Sequence, residues 1–78
     1  MDDYEREMEI IALLSNVDEA YTYTTCASDV VEHACRGTGD QRQIKLIEVE
    51  YFRDAGLRTD KANFCDQCRT VFVYKTGP

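Results

Sequence analysis

The chain has 78 residues, 15 of them acidic and nine basic, for a net charge of −6. A domain this short buries only about 60% of the surface its unfolded chain exposes, so its core is marginal and some form of staple is expected. The excess of acid argues against a general nucleic-acid binder, which relies on Lys and Arg to neutralise phosphates. The longest apolar run, Ile10 to Leu14, is too short to cross a membrane.

From Asp3 to Val17 apolar residues recur at i, i+3, i+4 and i+7, through Tyr4, Met8 and Ile11 and again through Ile10, Leu13, Leu14 and Val17. This pattern predicts an amphipathic helix with one broad stripe toward the core. Asp2, Asp3, Glu5 and Glu7 crowd its first turns, where negative charge complements the helix dipole, and Ser15-Asn16 marks its end. Tyr21 to Thr25 is uncharged and rich in aromatic and β-branched residues, which predicts a short strand running into Cys26. Asn16-Val17-Asp18-Glu19 resembles a capping box and offers a second helix as the alternative there. Ser28 or Asp29 can cap a short helix carrying Val30, Val31, Ala34 and Cys35, with Gly37 as its left-handed stop.

Thr38-Gly39-Asp40 reads as a turn. Ile44 to Phe52 reads as one strand, Asp54-Ala55-Gly56 as a turn, Leu57 to Phe64 as a weaker returning strand, and Val71 to Tyr74 as the last strand. Gly77-Pro78 is expected to fray. The fold class that follows is α+β. Residues 1–78 form a single domain in which the N-terminal amphipathic helix and a short second helix pack on a three- or four-stranded antiparallel sheet.

The staple is expected at the cysteines. Cys65-Asp66-Gln67-Cys68 is a C-x-x-C pair, and two thiolates three positions apart on a tight turn form half of a tetrahedral zinc site. Cys26 and Cys35 supply the other half, so the expected metal ligands are Cys26, Cys35, Cys65 and Cys68, with Zn²⁺ as cofactor. The region from Cys26 to Cys35 is not a second C-x-x-C. His33 therefore stands as an alternative that would replace Cys26 or Cys35 in a set of three cysteines and one histidine; otherwise it is a solvated helix-surface residue. Disulfides are the rival use of four cysteines. The opening Met1-Asp2-Asp3-Tyr4-Glu5 is acidic where a secretory signal is basic and then apolar, which favours a cytoplasmic, reducing location and hence metal. The C-x-x-C followed by a strand resembles the knuckle of zinc-ribbon and treble-clef modules over roughly residues 61–75. Many unrelated functions share that resemblance.

Charge is unevenly divided. Residues 1–35 carry nine acidic residues against Arg6 alone, whereas residues 36–78 carry eight basic and six acidic ones. No acid, base and nucleophile converge in the sequence, no Gly-rich phosphate loop is present, and four cysteines suit a closed structural site; the chain is not expected to be an enzyme. The leading expectation is a non-enzymatic protein-protein interaction module, an acidic adaptor or inhibitor presenting its N-terminal half to a partner with a basic surface. Such a partner suits a nucleic-acid-handling complex, and a virus or mobile element is the kind of source that encodes such a protein. The alternative is a nucleic-acid-binding, zinc-finger-like module using Arg53, Arg58, Lys61 and Arg69 of the basic hairpin. A small redox or metal-handling protein ranks third.

Overall fold

A computed structural model describes residues 1–75, and the Gly77-Pro78 tail lies outside the described residues. Helix α1 (Asp3–Ser15) is followed by six strands: β1 (Thr22–Cys26), β2 (Val30–Ala34), β3 (Gln41–Lys45), β4 (Ile47–Arg53), β5 (Gly56–Cys65) and β6 (Thr70–Tyr74). Four of them form a sheet in the order β1-β6-β5-β4, and β2 and β3 form a separate two-stranded sheet. The fold is α+β with one helix among the described residues.

α1 starts where expected. The Asp2 carboxylate accepts from the Glu5 amide at 2.8 Å, satisfying one of the free N–H groups of the first turn. Ile10, Leu13 and Leu14 bury one side of the helix against Val49, Tyr51, Ala62, Phe64 and Val71 of the four-stranded sheet. The opposite sheet face carries a second apolar cluster, in which Cys65 and Phe72 meet Cys35, Ile44 and Leu46 from the region of β2 and β3. The sheet is thus covered by the helix on one side and partly by the small sheet on the other.

Five readings are corrected. The segment expected as a second helix, residues 28–35, contains strand β2. Its Val30-Val31 pair suits a pleated surface better than a helix, and the strand pairs along its whole length with β3, from Val30↔Lys45 to Ala34↔Gln41. The run from Ile44 to Phe52 is two strands rather than one. Leu46, buried and donating its amide to the Asp29 carbonyl at 2.8 Å, carries the chain from the small sheet to the large one. The sheet is mixed rather than antiparallel, since β1 pairs in parallel with β6, Thr22↔Thr70 through Cys26↔Tyr74. Finally, the broad stripe of α1 is not all core: Tyr4 and Met8 are exposed. Asn16 to Glu19 does not start a helix, and the Asp18 carboxylate instead closes a turn on the Ala20 amide at 2.9 Å.

The other turns match their residues. Asp54 and Ala55 both have positive φ, 55° and 63°, as a two-residue hairpin turn matched to strand twist requires. Asn63 joins three elements from its place on β5. It donates to the Lys45 carbonyl at 2.8 Å and accepts from Arg6 of α1 at 2.9 Å.

Candidate metal centre

Two segments converge on the second apolar cluster. β5 ends at Cys65, and the four residues Asp66 to Arg69 turn the chain into β6, with Arg69 at φ 54°. Cys68 lies in that turn. From the other side, Val31 and His33 face inward along β2, and Cys35 follows directly after the strand. In a strand, residues two apart project to the same face, so His33 and Cys35 point toward the same place.

The ligating atoms of His33, Cys35, Cys65 and Cys68 all lie within 4.8 Å of one another. The Cys35 and Cys65 sulfurs are 3.5 Å apart, and His33 Nε2 is 3.1 Å from Cys68 Sγ. A tetrahedron built on Zn–S of about 2.3 Å and Zn–N of about 2.0 Å has edges of roughly 3.8 Å between sulfurs and 3.5 Å between sulfur and nitrogen. The four donors are therefore close enough to hold one metal ion. Three thiols and an imidazole are a soft donor set suited to a transition metal rather than to calcium or magnesium.

Cys35 and Cys65 form the buried half, at 2% and 3% exposure. Burial pushes both thiols up. At Cys35 that push is outweighed by hydrogen bonds from the side chain and amide of Thr38, from Cys65 and from the Gly37 amide, which bring it from 9.0 down to about 6. At Cys65 burial prevails and the thiol stays raised. His33 and Cys68 are half-buried and close the outer side of the cluster. The His33 ring stands edge-on to Phe72, centroids 5.1 Å apart, and Cys68 Sγ lies 3.3 Å from the Thr70 hydroxyl.

Compared with known protein families, curated proteins and solved structures, the chain matches none.

Of the four cysteines expected as ligands, the structure brings together Cys35, Cys65 and Cys68, and the fourth donor beside them is His33. Cys26 borders the same apolar cluster without joining the four donors. It pairs with Tyr74 at the far end of β1, whereas the donors sit by Thr70, the partner of Thr22. Four residues of strand separate Thr22 from Cys26, or about 13 Å. The Cys26 thiol lies 3.6 Å from the Val73 carbonyl, and burial raises its pKa.

The two donor-bearing loops touch through Gly37. A Cβ there would stand 2.7 Å from the Gln67 carbonyl oxygen, closer than carbon and oxygen can approach. Gly37 is therefore needed for contact with the Cys65 to Cys68 turn, not as the left-handed end of a helix. Positive φ falls two residues later, at Gly39, whose amide donates to the Cys35 carbonyl at 2.7 Å.

Proposed function

We propose that the chain is a zinc-stabilised, non-enzymatic module that acts by protein-protein contact and presents its acidic N-terminal half to a basic partner. The observation that carries this reading is the donor set. His33, Cys35, Cys65 and Cys68 supply four ligands, which is a full tetrahedral shell and leaves no coordination position for a substrate or an activated water. Three thiolates and a neutral imidazole around Zn²⁺ would add a formal −1 to a chain already at −6. The surface charge then favours a cationic protein over nucleic acid. Two cations of the alternative nucleic-acid face already have partners: Arg58 is 3.4 Å from Asp54, and Lys61 is 3.9 Å from Asp29.

The first test is metal content. Protein purified under reducing conditions should carry about one zinc per chain, and a strong chelator should unfold it, because structural zinc contributes on the order of 10 kcal/mol or more to domains of this kind. Metal-free protein with the same circular dichroism and the same Tm would falsify the structural-zinc reading.

A further inference from the structure

We infer that the outer face of α1 is a docking surface for a basic amphipathic helix of a protein partner. The inference rests on the reading of the chain as a contact module and names the surface and the partner's chemistry. Tyr4, Met8 and Ile11 follow one another at i, i+4 and i+7, so they line one side of a helix with 3.6 residues per turn. Ile10, Leu13 and Leu14 hold the sheet from the other side. Tyr4 is 71% exposed and Met8 46%, while Ile11 is half-buried at the margin of the core. An aromatic and a thioether side by side on an exposed face are the residue types that anchor and adapt at protein interfaces.

The charge around the stripe selects the occupant. Glu5 and Glu9 run along one side at i, i+4, and Asp3 and Glu7 along the other; such like-charged pairs repel one another on a bare helix. The one cation of the helix does not relieve them. Arg6 points inward, donating to the Phe64 carbonyl at 3.0 Å and lying 4.5 Å over the Phe64 ring. The helix itself therefore edges the stripe with negative charge; Arg42 and Lys45 share the cleft beside Asp3, so the acidic side that selects the occupant is that of Glu5 and Glu9. A second copy would set carboxylate against carboxylate, and a nucleic acid or an anionic bilayer would be repelled as well. What fits is an apolar strip edged by Lys or Arg. From Tyr4 to Ser15 the face extends about 16 Å, which matches a partner helix of roughly three turns. The other exposed apolar pair, Phe52 facing Leu57 on the β4–β5 hairpin, lacks this selectivity because Arg53, Asp54 and Arg58 around it carry both signs.

The probe is a synthetic amphipathic leucine-lysine peptide of about 15 residues, titrated into the zinc-loaded 78-residue chain and followed by amide chemical shifts, alongside a scrambled peptide of the same composition. The expected result is saturable binding with the largest shifts at Tyr4, Met8 and Ile11, and weaker affinity for the scrambled peptide by about tenfold. Tyr4→Ala with Met8→Ala should weaken the amphipathic peptide by about tenfold or more, with zinc content and Tm unchanged. Glu5→Lys with Glu9→Lys should slow association and flatten its salt dependence. Equal affinity for both peptides, shifts centred on another acidic patch such as Asp18 and Glu19, or an unaffected Tyr4→Ala, Met8→Ala variant would overturn the assignment to this face. Concentration-dependent self-association through α1 would overturn it too. Each of these results leaves the zinc content readable on its own, so failure of the stripe is distinct from failure of the metal centre.

Discussion

His33 reaches Cys68 from strand β2, while Cys26 borders the same apolar cluster without joining the four converging donors, so the two side chains should respond differently to removal. Losing a group that merely orients a metal ligand weakens binding 10- to 100-fold; His33→Ala, which removes a donor, should weaken zinc by more than about a hundredfold. Cys26→Ala should keep one zinc per chain and lower stability by about 1 kcal/mol, the ordinary effect of a small truncation at a half-buried site. Competition with a zinc-binding dye reads both, and zinc loss in the Cys26 variant alone would reverse the assignment. Tyr51 offers a second test at this scale. Its hydroxyl donates to Asp60, and burial first, then that bond, raise the phenol above 10.0. The fold thus favours the neutral phenol, a contribution fully present below pH 10 and lost as pH rises through the folded value. Tyr51→Phe should cost about 1.5 kcal/mol at neutral pH and should flatten the alkaline fall of Tm.

Among the elements, the contact between the Cys35 to Asp40 loop and the Cys65 to Cys68 turn is the most sensitive, because each carries donors and their backbones meet at Gly37. Gly37→Ala should push the loops apart, costing about 1–3 kcal/mol as overpacking does, and weaken zinc at the same time. Gly39→Ala should act differently. It has open space around its Cβ position, so only the strain of its φ of +76° should register, as lost stability with little change in metal affinity. Isothermal denaturation and zinc competition on both variants separate the two effects. The distinction between β2 and a helix also explains which donors cluster. His33-Ala34-Cys35 has strand spacing for two donors on one face, but on a helix residues two apart diverge, so reading residues 28–35 as helical hid the pair and left Cys26 as the apparent donor. The β-branched Val30-Val31 was the available signal.

For the molecule as a whole, local patterns were informative and long-range pairings were not. The span of α1, the Asp54-Ala55 turn, the strand character of β1, β5 and β6, and the C-x-x-C turn follow from periodicity, turn chemistry and residue type. The parallel β1–β6 pairing, the crossing at Leu46 and the second small sheet depend on partners far away in the chain, on which local sequence is silent. Exposure of Met8 was hidden for a related reason. The apolar stripe of α1 is wider than one layer of strands can cover, and which part is left outside depends on how the helix lies on β4 and β5.

The position of β6 determines when the molecule can become whole. It lies between β1 and β5, yet it is the last of the described strands to leave the ribosome. Until Thr70–Tyr74 has been made, β1 has no neighbour in its sheet and the turn bearing Cys65 and Cys68 has no second arm. Metal loading should therefore be a late, post-translational event, preceded by a loose chain with open thiols. A chain stopped after Arg69 still contains every donor of the cluster, and it should nevertheless show no cooperative thermal transition and no tight zinc, because it lacks the centre of its sheet rather than an edge.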